Sequence, residues 1–145
     1  MELEQARARE AIRYTQSLCA TAGDRGRLDD MIAAYTDDGV LEISAGVFRG
    51  KAEIAAALAH VRERVAVTEA PESQRPFVRH HLTTCHIEFT SAGTADVRTY
   101  FLVMTPVGVD HCGVYSDRFV ASQSRWLIAY RRVRLDWVAP QSQFA

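Results

Sequence analysis

Val78-Arg79-His80-His81-Leu82-Thr83-Thr84-Cys85-His86-Ile87-Glu88-Phe89 is a strand-like run of β-branched, aromatic and alternating polar residues. It opens a series of strand runs. Ala95–Val107 and His111–Ala121 follow it, and a turn at Ser122-Gln123-Ser124 leads into Arg125–Val138. Helical patterns fill the half of the chain before this series. Residues 2–21 carry Leu3, Ala6, Ile12, Leu18 and Cys19 at helical intervals, and Gly23-Asp24-Arg25-Gly26 then breaks the pattern. Leu28 to Tyr35 reads as a short second helix, and Asp37-Asp38-Gly39 as a turn between it and the strand Val40–Ile43. After the brief strand at Val47–Arg49, Lys51 to Val65 is a third helix with Ile54, Leu58, Val61 and Val65 on one stripe. Residues 66–77, with Pro71 and Pro76, read as a loop long enough to serve as a lid. Helices first and long strands last predict an α+β fold. The expected shape is a cone-shaped roll, with three N-terminal helices packed in a curved, mostly antiparallel β-sheet.

At 145 residues without an internal repeat or linker, the chain is read as one domain spanning 1–145. A formal charge of −1 argues against a nucleic-acid partner, and no apolar run approaches the length of a membrane span. Of the 17 basic residues 16 are arginine, scattered except for Arg131, Arg132 and Arg134, which read as a solvated or interface-paired row. Cys19, Cys85 and Cys112 are odd in number and widely spaced, which fits neither a disulfide framework nor a metal site. A reducing, cytoplasmic setting is expected, with no metal and no organic cofactor.

Chemistry concentrates on Asp24, in the break after the first helix, and on the histidines that open the strand at 78–89. A neutral imidazole is a good base near neutral pH, and a carboxylate on its other nitrogen fixes the tautomer and stabilises the imidazolium. Side chains on a strand alternate between faces, so only one of His80 and His81 turns inward. Cys85, Ile87 and Phe89 share parity with His81, which favours His81; a bulge would hand the place to His80. Tyr115 offers a phenol for a carbonyl or leaving hydroxyl, with Tyr35, Tyr100 and His111 as weaker candidates. Met31, Ile54, Leu58, Leu82, Phe101, Val103, Phe119 and Ile128 are the apolar core or pocket wall, suited to a hydrophobic small molecule.

Six local words carry a family resemblance: Gly23-Asp24-Arg25-Gly26-Arg27-Leu28-Asp29, Tyr35-Thr36-Asp37-Asp38-Gly39-Val40, Phe48-Arg49-Gly50-Lys51-Ala52-Glu53-Ile54, Arg79-His80-His81-Leu82-Thr83-Thr84, Gly113-Val114-Tyr115-Ser116-Asp117, and Arg125-Trp126-Leu127-Ile128-Ala129-Tyr130-Arg131-Arg132. In this order, over roughly residues 8–138, the chain resembles the SnoaL-like proteins of the nuclear-transport-factor-2-like superfamily. It is most similar to the scytalone dehydratase and dehydrochlorinase branch. The resemblance implies a dyad in which Asp24 orients His80, with Tyr115 in the pocket wall and His81, Tyr35, Met31, Leu58, Phe101, Val103, Phe119 and Ile128 around the substrate. It also implies a homo-oligomer, dimer or trimer, formed through the outer face of the sheet. The chain departs from the branch at Thr105-Pro106-Val107, where scytalone dehydratase has a second histidine, and at Cys19, where a dehydrochlorinase has a lysine. The implied activity is that of a cofactor-independent lyase or isomerase acting on a hydrophobic small molecule. A non-catalytic small-ligand-binding or accessory subunit of the same fold and a polyketide cyclase stay open as alternatives.

Overall fold

The computed structural model describes residues 2–66, 77–142 and 144. In chain order its elements are α1 (Leu3–Arg25), α2 (Leu28–Ile32), β1 (Tyr35–Ile43), β2 (Gly46–Arg49), α3 (Gly50–Ala66), β3 (Arg79–Ser91), β4 (Thr94–Thr105), β5 (Gly108–Ser122) and β6 (Arg125–Val138). The strands form one sheet in the order β2-β1-β6-β5-β4-β3. Every pairing is antiparallel except β1 with β6, so the expected architecture stands with one parallel seam. α1 touches both β3 at the sheet edge and β6, three strands away, which requires the sheet to curl around the helix. None of the described helices is long and apolar enough to cross a membrane.

Three boundaries differ from the sequence expectation, the simplest being the second helix, expected over Leu28 to Tyr35, which ends at Ile32 so that Tyr35 opens β1. α1 runs through Gly23 and Asp24 and closes at Gly26, whose φ of 74° is the left-handed conformation that ends helices. The Arg27 amide returns to the Ala22 carbonyl at 2.9 Å, completing that cap. Asp24 therefore sits in the last turn of a helix and not in a loop. Asp37-Asp38-Gly39 lies inside β1, where the pairing with β6 slips between Tyr35 and Val40. An irregular strand and a turn look alike in sequence at such a point. The loop expected at 66–77 falls almost wholly on 67–76, outside the described residues.

Register fixes what faces the helices. Across β3, β4, β5 and β6 the concave face is a ladder of rungs. Phe89, Ala95, Phe119 and Ile128 make one rung, and Ile87, Val97, Asp117 and Arg131 the next. Cys85, Thr99, Tyr115 and Val133 follow, then Leu82, Phe101, Gly113 and Leu135. His80, Val103, His111 and Val138 make the last. The rungs stay in phase because of bulges. Between Leu82 and Cys85 β3 spends three steps where β4, from Phe101 to Thr99, spends two. That extra residue at Thr83-Thr84 reverses the parity of everything before it, because one step of slip turns a strand over.

Two apolar clusters follow from the ladder. The larger includes Ile12, Tyr35, Leu41, Ile54, Phe119, Trp126 and Ile128, with Met31 and Leu58 packed against it. The smaller holds Phe101, Val103 and Tyr115, flanked by Val78, Leu82 and Val133. Gly113 lies beside the smaller one at a bulge, where a Cβ would come within 2.0 Å of the Arg134 carbonyl oxygen. Since the obstacle is backbone, Gly113→Ala should destabilise by about 3 kcal/mol or more. Urea denaturation of the two proteins measures this, and an unchanged midpoint would show that β6 yields freely there.

Candidate functional site

The site grows from the end of α1 and the start of β3. Asp24 Oδ1 lies 2.5 Å from Nδ1 of His80, and Asp24 Oδ2 accepts the His80 backbone N–H at 2.9 Å. Both carboxylate oxygens are thus committed to one residue. A carboxylate only accepts, so Nδ1 carries the proton and the lone pair of the neutral ring lies on Nε2. The side chains of His80 and Asp24 are 23% and 9% exposed, which shields the contact while leaving the imidazole accessible. His81 is exposed on the outer face. Its expected place at the substrate is corrected by the Thr83-Thr84 bulge, which turns His80 inward without disturbing Cys85, Ile87 and Phe89.

Tyr115 stands two rungs away on the same face. Its ring stacks on Phe101 at 4.3 Å with planes 14° apart, and the Arg131 guanidinium lies 4.1 Å from its centre. A stacked neighbour fills one face of the ring, so the guanidinium occupies the other. Burial pushes the Tyr115 phenol up, against the opposing pull of Arg131, and keeps it neutral.

Arg131 was expected in a solvated or interface-paired row with Arg132 and Arg134. Those two are exposed, but Arg131 is buried, donating through Nε and Nη2 to the two oxygens of Asp117 at 2.9 and 2.8 Å. The register slip between Arg118 and Phe119, facing Tyr130 and Ile128, leaves Ala129 as the extra residue and swings Arg131 inward. Burial opposes its charge, but the Asp117 carboxylate and its hydrogen bonds hold the guanidinium ionised. Tyr35 and Cys19 border the same charge pair, and burial raises both their hydroxyl and thiol out of the ionising range.

The other sequence candidates separate. Phe101 and Val103, buried in the smaller cluster, lie next to His80 on the same face of the sheet. Phe119 and Ile128 are buried in the larger core with Tyr35, and Met31 and Leu58 pack against that core, Met31 lying beside Gly23 next to Asp24. Tyr100 is 46% exposed on the outer face, across the sheet from His80. His111 is buried, with Nδ1 2.7 Å from Asp110 Oδ1. Arg131–Asp117 and Asp110–His111 are the groups that pattern reading undervalued. The signal for the second was present as an Asp-His dipeptide on a strand, where adjacent residues normally point apart. An open groove lined by Arg7, Tyr14, Arg125 and Trp126 lies at the other end of α1, away from Asp24.

A family model described as a SnoaL-like domain matches residues 4–132. No curated protein matches the chain in sequence. Among solved structures, a hexachlorocyclohexane dehydrochlorinase from Novosphingobium barchaimii superposes with a TM-score of 0.78 at 16% identity, covering 97% of this chain and 94% of that one. A candidate scytalone dehydratase from Novosphingobium aromaticivorans gives 0.78 at 18%, covering 96% and 91%. A Mycobacterium tuberculosis protein of unknown function gives 0.72 at 25%, covering 98% and 79%. These likenesses show a shared fold.

Breaking one side of the buried pair strands a charge, so Asp117→Asn should destabilise by about 3–5 kcal/mol, whereas the double change Asp117→Val with Arg131→Met should recover most of that. Urea midpoints of the three proteins decide it, and equal losses for single and double changes would deny the coupling. Burial also works against ionisation of Asp110, but hydrogen bonds from Ser142, His111 and Thr105 outweigh it and hold the carboxyl below its ordinary range. A depressed carboxyl stabilises the fold above its unfolded value of about 3.9 and loses that contribution as pH falls through the folded value. Asp110→Asn should therefore flatten the acid limb of a stability–pH curve, and parallel limbs would contradict the assignment.

Proposed function

We propose, from the premise that the chain belongs to the SnoaL-like domain family, that it is a cofactor-independent lyase or isomerase whose base is His80. The observation that carries this reading is the double grip of Asp24 on His80, through the imidazole and the backbone amide of the same residue. That grip holds the ring in the tautomer that leaves Nε2 basic and aims it along the wall of Phe101 and Val103. Nε2 takes a proton from a carbon beside a carbonyl. Asp24 stabilises the imidazolium that forms, and the enolate oxygen accepts a hydrogen bond from the neutral phenol of Tyr115. The buried Arg131 cation behind the Tyr115 ring adds favourable potential for that developing negative charge. From the enolate, a leaving group departs or the double bond shifts. The apolar wall suits a hydrophobic carbonyl compound. The solved relatives with dehydratase and dehydrochlorinase names are consistent with the part of this scheme they share, removal of a proton from carbon with loss of a leaving group.

Proton abstraction can be followed without knowing the natural substrate. Hydrophobic aryl and alicyclic ketones incubated in deuterium oxide should exchange the hydrogens beside the carbonyl, read by proton NMR. His80→Asn and Asp24→Asn should each slow that exchange by about 10²- to 10⁴-fold. If neither substitution changes the exchange rate, or no ketone exchanges above buffer, the site is a binding pocket without chemistry, as in the accessory-subunit alternative.

A further inference from the structure

The groove on the first half of α1 has the makings of a binding site of its own. Arg7, Glu10, Ala11 and Tyr14 recur at helical spacing, so they share one stripe of the helix. That stripe faces Arg125 and Trp126 at the start of β6, and the groove between them has a volume of about 470 Å³. Such a volume suits a small molecule. At about 1.5 Å per residue along a helix, Ala11 and Asp24 stand about 20 Å apart, so the groove is separate from His80.

Its floor is fixed. Thr15 Oγ1 donates to the Trp126 carbonyl at 2.6 Å, a buried bond that ties α1 to β6 beneath the groove. The Trp126 ring meets Phe89 edge-on at 5.7 Å and is only 8% exposed. Tyr14 on the opposite side is 64% exposed, a large aromatic left in water beside a held indole. A flat apolar body laid between the two rings would cover both.

The rim adds charge to this apolar wall. Arg7, Glu10 and Arg125 are all exposed. Arg125 spends one nitrogen on the Ala33 carbonyl at 3.3 Å. Among the described residues none of the three joins an ion pair. A guanidinium presents parallel N–H donors that match the two oxygens of a carboxylate. Glu10 on the same wall opposes a second negative charge on the ligand.

We propose that this groove binds an aromatic monocarboxylate, its ring against Trp126 and Tyr14 and its carboxylate on the guanidinium groups of Arg7 and Arg125. The site goes beyond the base chemistry of His80 and does not depend on it. The two arginines come from a helix and a strand, so the ligand clasps α1 to β6 from outside, over the Thr15 bond that joins them within.

Trp126 and Trp137 are the two tryptophans of the chain, and Trp137 lies at the far end of β6. In Trp137→Phe protein the single indole N–H signal of a nitrogen-correlated proton NMR spectrum therefore reports the groove. The probes are naphthoate, the neutral naphthylmethanol and a naphthalenedicarboxylate. Naphthoate should move that signal saturably and bind more tightly than either of the others. Arg7→Gln and Arg125→Gln should each weaken naphthoate by about 2- to 5-fold and leave naphthylmethanol unchanged. Added salt should weaken naphthoate alone of those two. Glu10→Gln should narrow the gap between the dicarboxylate and naphthoate, and His80→Asn should leave naphthoate affinity as it was. An unmoved indole signal would overturn the proposal. Equal affinity for naphthoate and naphthylmethanol, indifferent to both arginine changes, would reduce the groove to apolar adhesion and overturn it too. Loss of binding in His80→Asn would place the ligand at the other site, with the same result.

Discussion

The buried contact between Arg131 and Asp117 governs how the concave face is divided. Two full charges withdrawn from water are costly, and here both oxygens of the carboxylate meet two guanidinium nitrogens, the geometry that best offsets the cost. The pair spans β5 and β6 on a single rung, with Phe119 and Ile128 on the rung to one side and Tyr115 and Val133 on the other. It thereby separates the larger apolar core from the smaller cluster of Phe101, Val103 and Tyr115 that adjoins His80. Because the guanidinium also lies against the Tyr115 ring, the position of that ring, and of Phe101 stacked upon it, follows from the charge pair.

The broad architecture was legible because it rests on patterns many residues long. Helical spacing over 2–21 and 51–65 and strand runs over 78–138 survive small local errors, and β6 matches its expected bounds of Arg125–Val138. Side-chain direction was not legible to the same degree. A bulge adds one residue, and the β-branched pair Thr83-Thr84 has ordinary strand character, while a single Asp110 or Ala129 within a strand run does not say which way the register slips. Alternation alone therefore pointed His81 inward and gave no reason to bury Arg131. Family words placed His80 where periodicity did not, because they carry the bulge implicitly. Asp24 was found as a residue but misplaced as a loop, since Gly23 looks like a helix breaker while Gly26 is the one that closes α1.

The two histidine–carboxylate contacts are built differently. Asp110 and His111 are neighbours on one strand, and their meeting is decided by a bulge within the sheet. Asp24 and His80 are 56 residues apart and meet only when a helix end docks on a strand beginning. The first is a local construction, and the second reports tertiary assembly. A fold shared with proteins of several chemistries is served by such an arrangement, because the sheet ladder persists while individual rung residues change.

Asp24 occupies the last turn of α1, the negative end of the helix, where a cation is favoured by about 0.3–1 kcal/mol and a carboxylate is opposed. Among the described residues its hydrogen bonds come from β3, through the His80 amide and ring. Fraying of the α1 terminus and detachment of the β3 entrance are consequently one cooperative event. The protection of these two distant backbone segments against exchange with solvent is joined at a single carboxylate.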